Sequence, residues 1–433
     1  MLRATYIKIF LILFILFLMS DHAFPCSAYK FTVNGKTMIG DNEDSWQVHP
    51  RIWFEKGGNG KYGVAYLGYD NSPHSEGAMN EHGLVWAGFS VPTRDVKDQS
   101  QRGAPFLLTD IAGIMQKCKT VDEVNAILKT RNLNYLNGDL LFNGGMLLFI
   151  DKRGKYLVVE ADTLIMGNES VYLLSNFCPS KTKDLSKIQL ARYRNGVELV
   201  KNLPQNDLNS CVRLSDTMHV CRGKVGDGTL YTTIYDPDES SIYLYFYHDY
   251  SHPVKFDLKK ELAMNDHSLE MAALFPPNKE FQAFKNYLTP QSSRFISVLL
   301  LSAILILAFS CIYFLINYFK ARKTLSATGE SFQKVKLSVV FINVILIFYI
   351  FILKQNQFLF YFTEPFKGMD LSALKLAQYV PVLMLLIIVP LVIALRNILK
   401  GSSWKKFPKA LFAINNVIIA ILLGLCIYWK LII

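Results

Sequence analysis

Cys26 has the clearest chemical potential in the sequence, because it lies at the end of a predicted secretory signal. If the signal is removed at this cysteine, the new N-terminal residue carries a thiol and an α-amine, that is, a nucleophile and a base. Asp44 follows eighteen residues later, in the run GDNED at residues 40–44. A carboxylate at this spacing could hold the α-amine in place. The two residues therefore predict nucleophilic chemistry at Cys26.

Residues 1–25 are predicted to be a signal peptide. Two basic residues precede an unbroken apolar run at residues 9–19, which is the length of a signal-peptide core rather than of a membrane span. Cleavage after Ala23 would leave the dipeptide Phe24-Pro25 ahead of Cys26, so a second trimming step, such as self-cleavage before Cys26, would be needed. Two other interpretations stay open: a lipid-modified cysteine of a lipoprotein, and a structural cysteine behind an uncleaved anchor.

The composition divides the chain into two parts. Residues 26–290 mix polar and apolar side chains and are predicted to form one globular domain of ordinary size. Residues 291–433 are predicted to form a transmembrane domain, because four apolar runs follow one another with short charged connectors. The runs are residues 295–319, 337–353, 377–395 and 410–429.

The charges between the apolar runs predict their orientation. The first connector has five Lys or Arg and one Glu, and the third has five Lys or Arg and no acid. The positive-inside rule places both connectors in the cytoplasm, so the globular domain is expected on the extracytoplasmic side of the cytoplasmic membrane. These connectors also carry most of the formal net charge of +11, so the basic composition is no argument for nucleic-acid binding.

The globular domain shows a mixed strand and helix pattern. Asn34-Gly35 is a strong hairpin signal between strands at 27–33 and 36–40, and this hairpin returns the chain from Cys26 to the neighbourhood of Asp44. Further strands are predicted at 63–67, 84–91, 140–150, 156–160, 171–174, 229–235 and 241–247. Helices are predicted at 105–118, 121–130, 184–201 and 209–221.

Seven cysteines do not form a disulfide framework in this pattern. Cys211 and Cys221 could pair only if the predicted helix between them were absent, and no pairing is expected. No spacing of Cys and His resembles a zinc site, and neither a metal nor a cofactor is predicted.

Several short segments, in this order and spacing, resemble the N-terminal-nucleophile (Ntn) hydrolases that cleave linear amide C–N bonds. This group includes choloylglycine (bile-salt) hydrolases, acid ceramidase-like amidases and penicillin acyltransferases. The segments are CSAY at 26–29, GDNED at 40–44, AMNEHGL at 78–84, LSNF at 174–177, LARYR at 190–194 and the late hairpin at 230–247. The resemblance covers about residues 26–257. It implies an α+β fold of the αββα type, in which two antiparallel sheets stack between helical layers.

The resemblance also implies roles for Cys26, Asp44, Asn80, Asn176 and Arg192. Cys26 would attack the amide carbonyl while its α-amine accepts the thiol proton, and water would hydrolyse the resulting thioester. Asp44 would hold the α-amine, the two asparagines would donate to the oxyanion, and Arg192 would organise the site. Three of these residues also have a structural interpretation: Asp44 and Asn80 as turn residues, and Arg192 as a solvated helix charge.

Asp41 departs from part of this family, because bile-salt hydrolases and acid ceramidases carry an arginine at the matching place. A cation would stabilise a thiolate, whereas an inward-pointing acid would destabilise it. The departure argues against the bile-salt branch. His49, His74 and His82 are further acid–base candidates, although a lone histidine is more often a polar surface residue.

The predicted function is a membrane-anchored, extracytoplasmic cysteine amidase that hydrolyses a non-peptide linear amide. The expected partners are membrane lipid and a small-molecule or lipid-like amide substrate. Two alternatives remain: an acyltransferase that passes the acyl group to an amine, and a non-enzymatic membrane protein whose exported domain binds or senses a ligand. The sequence makes no prediction of the oligomeric state.

Overall fold

The computed structural model describes residues 26–70, 72, 74–138, 144–203, 207–221, 225, 228–321, 330–361, 376–401 and 404–432. The predicted signal peptide at residues 1–25 lies outside these ranges. The chain separates into two compact units, of which the first ends at Lys285 and the second begins at Asn286.

The first unit contains fourteen strands and six α-helices among its described residues. The strands are β1 Ser27–Val33, β2 Lys36–Ser45, β3 Pro50–Glu55, β4 Val64–Tyr69, β5 Ser75–Asn80, β6 Val85–Val91, β7 Gly144–Ile150, β8 Tyr156–Val159, β9 Leu164–Gly167, β10 Val171–Ser175, β11 Gly228–Asp236, β12 Ser241–Phe246, β13 Asp249–Asp257 and β14 His267–Glu270. The helices are α1 Ile111–Met115, α2 Val121–Leu128, α3 Ala191–Val200, α4 Leu208–Met218, α5 Leu258–Ala263 and α6 Lys279–Lys285.

The predicted hairpin between β1 and β2 is confirmed. Asn34 and Gly35 form its turn, with φ angles of 52° and 78°. Two positive φ angles in a two-residue loop are typical of a type I′ turn, whose twist matches that of the flanking strands. Strand β2 continues to Ser45, beyond its predicted end at Gly40, so the whole acidic segment lies on a strand.

The strands form two antiparallel sheets. The first has the order β10-β1-β2-β11-β12-β13, and the second has the order β14-β3-β4-β5-β6-β7-β8-β9. The sheets face each other, because Tyr69 of β4 donates a hydrogen bond to Glu43 of β2 at 2.8 Å. A Cβ atom on Gly77 of β5 would lie 3.4 Å from the carboxylate of Asp41.

Helices cover the outer face of each sheet. Helices α1 and α2 pack on the second sheet around Trp86 and Phe149, and α3 and α4 pack on the first sheet around Tyr29 and Ile234. The order of layers is therefore helix, sheet, sheet, helix. The predicted αββα sandwich is confirmed.

The second unit contains four long apolar helices among its described residues. They are α7 Arg294–Ala321, α8 Glu330–Gln355, α9 Val380–Gly401 and α10 Lys406–Tyr428. All four are long and apolar enough to cross a membrane, in agreement with the four predicted runs. The buried amide of Asn415 in α10 donates to Ser310 in α7 at 2.6 Å, which is typical of polar contacts between membrane helices.

Several elements of the first unit differ from the sequence-based expectation. The structure adds β3, β5, β9, β13 and β14, which were not predicted. Strand β5, SEGAMN, has no β-branched residue, so its strand character comes from pairing with β4 and β6. The predicted helix at 105–118 contains only α1 and a 3₁₀ turn at Leu108–Asp110. The predicted helix at 184–201 begins only at Ala191, after a separate 3₁₀ turn that Asp184 caps.

Candidate functional site

A cavity of about 470 Å³ has Cys26 in its wall and takes residues from both sheets. This volume is suited to a small molecule. Glu43, Asp44, Tyr69, Glu76 and Ser90 contribute polar groups, and Trp86, Phe89, Leu108 and Leu147 contribute apolar surface. The cavity therefore combines the predicted nucleophile with acidic groups and an apolar wall.

The thiol of Cys26 contacts a carboxylate directly. Its Sγ donates a hydrogen bond to Oε2 of Glu43 at 3.4 Å, and only 4% of the Cys26 surface is exposed. Burial raises the pKa of the Cys26 thiol well above its ordinary value, and the negative charges of Glu43 and Asp44 raise it further. A backbone hydrogen bond from Asp44 acts in the opposite direction. The structure therefore holds Cys26 as a neutral thiol.

Glu43 is a site residue that the sequence reasoning missed. Ser27 pairs with Asn42 across the hairpin, so one further step along the two strands places Cys26 opposite Glu43. Tyr69 donates to the other carboxylate oxygen at 2.8 Å. Burial raises the pKa of Glu43 well above its usual range, and the charges of Glu76 and Asp41 raise it further. The two-residue turn sets the register of β1 and β2, and this register was the sequence signal that could have identified Glu43.

The GDNED segment alternates between the two faces of its sheet. A Cβ on Gly40 would lie 2.1 Å from the Tyr29 ring, so glycine is required there. Asn42 donates to the Ser215 carbonyl of α4 at 2.9 Å. Asp41 and Glu43 point the other way, towards the second sheet.

Asp41 is thus an inward-pointing acid, 3% exposed. Burial, followed by the charges of Asp44 and Glu76, raises its pKa well above the usual value. Its own charge is among the causes that raise the pKa of the Cys26 thiol. Where bile-salt hydrolases carry an arginine, this chain therefore has an inward-pointing acid, which destabilises a Cys26 thiolate.

Asp44 lines the same cavity as Cys26, as the hairpin predicts. Its carboxylate accepts a hydrogen bond from the hydroxyl of Thr229 in β11. The same hydroxyl accepts from the Val220 backbone N–H at 2.9 Å, so the Asp44 carboxylate is held by an ordered partner. A role for Asp44 in holding a free α-amine remains a prediction.

Arg192 and Cys26 are connected through one hydroxyl. Nε of Arg192 donates to Ser175 Oγ at 2.8 Å, and Ser175 Oγ donates to the Cys26 carbonyl at 2.9 Å. Arg192 also donates to Oδ1 of Asn176 at 2.5 Å. The structure thus brings Arg192 and Asn176 together beside Cys26, and adds Ser175, which the sequence reasoning did not assign.

Asn176 is oriented by contacts at both ends of its amide. Its Nδ2 donates to the Ser90 carbonyl at 2.7 Å, and Ser90 lines the cavity. Asn176 itself lies behind this wall, and its role as an oxyanion donor remains a prediction. Ser90 lies on β6, between the motifs used for the resemblance, so no sequence signal singled it out.

Asn80 does not line the cavity, and its amide is engaged in structural bonds. Its Nδ2 donates to the carbonyls of Met115 and Cys118, at 2.9 and 2.8 Å. Its Oδ1 accepts from the backbone N–H groups of His82 and Leu84, at 3.1 and 3.0 Å. Since an asparagine amide has two donor hydrogens, both are in use, and the contacts favour the turn-residue interpretation.

His74 and Glu76 form the remaining titratable pair in the cavity wall. The two side chains lie 3.8 Å apart. Burial raises the pKa of Glu76 to about 7, and burial lowers the pKa of His74. His49 and His82 do not line the cavity. Among the described residues, no group of three or more His, Cys, Asp or Glu side chains could hold a metal ion.

Comparisons with known proteins found matches among solved structures. No protein-family model and no curated protein matches the chain. A mutant conjugated bile acid hydrolase from Clostridium perfringens has a TM-score of 0.44 and 18% identity, covering 59% of this chain and 97% of that one. Penicillin V acylase from Agrobacterium tumefaciens has a TM-score of 0.41 and 14% identity, covering 57% and 91%. The Caenorhabditis elegans ortholog of N-acylethanolamine-hydrolyzing acid amidase has a TM-score of 0.34 and 13% identity, covering 49% and 92%.

Proposed function

We propose that this protein is a cysteine amidase of the N-terminal-nucleophile type, which hydrolyses a non-peptide linear amide after Cys26 becomes the mature N-terminus. The observation that carries the proposal is the position of Cys26. Its thiol lies in the wall of a small-molecule cavity beside Glu43, and its carbonyl is held by Ser175. Buried nucleophiles with ordered polar partners in a cavity are typical of catalytic sites.

The mechanism follows from the groups around Cys26. Removal of residues 1–25 by signal cleavage and self-cleavage frees an α-amine whose ordinary pKa is about 8. This amine takes the thiol proton as Sγ attacks the amide carbonyl, and returns it to the leaving amine. Water then hydrolyses the thioester. Asp44, fixed by Thr229, orients the α-amine, and Asn176, fixed by Arg192, supports the oxyanion side of the site.

The four apolar helices support a membrane-anchored form of this enzyme. The basic connectors favour an extracytoplasmic position for the first unit, with their positive charge in the cytoplasm. An enzyme at the outer face of a membrane has access to amides that partition into lipid. The proposed substrate is therefore a small-molecule or lipid-like amide, and the apolar wall of Trp86, Phe89 and Leu108 fits an acyl group.

The test begins with the N-terminal sequence and mass of the protein purified from membranes. We expect a chain that begins at Cys26 and hydrolyses N-acyl amides, with a Cys26→Ser variant slower by at least about 10³-fold because a hydroxyl is a much weaker nucleophile than a thiol. Cys178→Ser is the matched control, since Cys178 does not line the cavity. A chain that retains residue 25, or a Cys26→Ser variant with wild-type turnover, would overturn the proposal. Added amine acceptors distinguish hydrolysis from acyl transfer through the products.

A further inference from the structure

The Cys26 thiol has a proton acceptor before any α-amine exists. In the unprocessed chain the Cys26 nitrogen belongs to a peptide bond, so it has no basic lone pair. Oε2 of Glu43 nevertheless accepts the thiol hydrogen bond at 3.4 Å. Because this contact does not depend on a free N-terminus, Glu43 offers the precursor a base that the mature mechanism does not require.

We propose that Glu43 is the catalytic base that activates Cys26 for cleavage of its own peptide bond, the step that turns the precursor into the amidase proposed above. This inference rests on the proposed function in one respect only, namely that the cleaved chain, which begins at Cys26, acts as an amidase. The geometry that carries it is the contact between Cys26 and Glu43, together with the hydrogen bond from Tyr69 that fixes the carboxylate at 2.8 Å.

The step balances with water as the only added reactant. The thiol proton moves to Oε2 of Glu43 while Sγ forms a bond to the carbonyl carbon of Pro25. The bond between that carbon and the Cys26 nitrogen breaks, and Glu43 returns the proton to this nitrogen, which leaves as a primary amine. Water hydrolyses the thioester between Pro25 and Cys26, giving a C-terminal carboxylate on the released segment and a free Cys26 thiol.

The surroundings of Glu43 suit it to this proton transfer. The proton moves from a buried thiol to a buried carboxylate 3.4 Å away, so one negative charge shifts between neighbouring atoms and no new charge is created. Burial also raises the pKa of Glu43, which makes its carboxylate a stronger base. A solvent-exposed glutamate would lack this advantage.

The same surroundings predict the pH dependence of the cleavage. Besides Cys26, five titratable groups interact with the Glu43 carboxylate: Asp41, Tyr69, Glu76, Tyr231 and Tyr235. Burial, followed by the charges of Glu76 and Asp41, raises the pKa of Glu43, so its carboxylate becomes ionised only at a higher pH than that of an ordinary glutamate. Cleavage is therefore expected to accelerate as pH rises through this raised pKa.

The experiment follows cleavage of the full-length chain made by cell-free synthesis in detergent micelles, where signal peptidase is absent. Intact mass measures the appearance of the chain beginning at Cys26. We expect the wild-type chain to free Cys26 and Glu43→Gln to do so at least about 100-fold more slowly, because the amide cannot take the proton.

Glu76→Gln is the companion variant. It leaves Glu43 in place but removes a charge that raises its pKa, so cleavage continues with its pH profile moved to lower pH.

The outcomes separate this inference from the proposed function. A Glu43→Gln chain that frees Cys26 at a rate within about threefold of wild type overturns it, as does a purified wild-type chain that does not cleave itself. If Glu43→Gln does not fold, the Glu76→Gln profile decides, and an unshifted profile overturns the role of Glu43. A wild-type chain that frees Cys26 but hydrolyses no amide would overturn the proposed function and leave this inference standing.

Discussion

Ser175 donates its hydroxyl to the carbonyl of Cys26 at 2.9 Å and receives a hydrogen bond from Arg192 at 2.8 Å. This hydroxyl fixes the backbone of Cys26 from the side opposite the hairpin, because Ser175 lies on β10 and the hairpin partner of β1 is β2. Arg192 reaches Asn176 with a second nitrogen. A single guanidinium therefore positions the main chain of Cys26 and the adjacent Asn176 amide.

Replacing Arg192 with lysine is expected to lower kcat about tenfold with little change in KM, because an ammonium cannot reproduce the fork that bonds Ser175 and Asn176 together. Steady-state kinetics of the processed enzyme measure this effect. Arg194→Lys is the control, since Arg194 lies exposed on the same helix. A wild-type kcat in Arg192→Lys would show that Arg192 has no positioning role.

Asp44→Asn is expected to lower kcat about 100-fold and to move the rising limb of the pH–rate profile to lower pH. The carboxylate favours the charged form of a nearby α-ammonium, so its removal lowers the pKa of that amine and orients it less well. Rates between pH 5 and 9 test both effects. Thr229→Val, which removes the hydroxyl donor to Asp44, is expected to lower kcat less and to leave the limb in place. An unshifted limb in Asp44→Asn would mean that the carboxylate does not act on the amine.

The hairpin was predictable because Asn34-Gly35 specifies one turn type, and that turn fixes the register of β1 and β2. The same register places Glu43 opposite Cys26, although the carboxylate chosen from the sequence was Asp44. The resemblance implied a role for Asp44, whereas strand alternation decides which side chain faces the thiol. The turn sequence was therefore sufficient to predict the hairpin. Predicting the contact between Cys26 and Glu43 required the strand pairing to be extended by one residue beyond the pair Ser27 and Asn42.

Contacts between distant parts of the chain could not be predicted. Ser175 and Ser90 acquire their roles only when β10 lies beside β1 and when β6 faces Asn176. The motif containing Asn80 fitted the resemblance, but the helix that ends near Met115 supplies carbonyl acceptors for its amide. The four apolar helices were predictable because hydrophobic runs of membrane length do not depend on tertiary contacts.

Asn80→Ala and Asn176→Ala are expected to act on different properties. Asn80→Ala should destabilise the first unit by about 3 kcal/mol, because it leaves buried carbonyl and N–H groups without partners. Asn176→Ala should lower kcat about 100-fold, because in the proposed mechanism Asn176 supports the oxyanion side of the site. Thermal unfolding and single-turnover rates of both variants test the contrast. An Asn80→Ala chain with normal stability and a kcat lowered as far as that of Asn176→Ala would restore the oxyanion role to Asn80.

Glu76→Gln is expected to stabilise the first unit at alkaline pH. Burial raises the pKa of Glu76 from its ordinary 4.5 to about 7. A carboxyl with a raised pKa contributes its full stability below pH 4.5, and this contribution is lost as pH rises to about 7 and beyond, because the folded protein must then bury a charge. His74, 3.8 Å away, does not compensate this charge, since burial lowers its own pKa.

The variant carries a neutral amide at every pH and avoids this loss. In a Cys26→Ala background, which lacks the thiol proposed to cleave the Pro25–Cys26 bond, Glu76→Gln should melt at a higher temperature than its parent at pH 8, and the difference should shrink towards pH 5. Glu81→Gln is the control, because Glu81 is exposed and does not line the cavity. Equal melting temperatures for Glu76→Gln and its parent at pH 8 would mean that Glu76 is ionised at no cost, and that the acidic wall of the cavity is solvated in the folded protein.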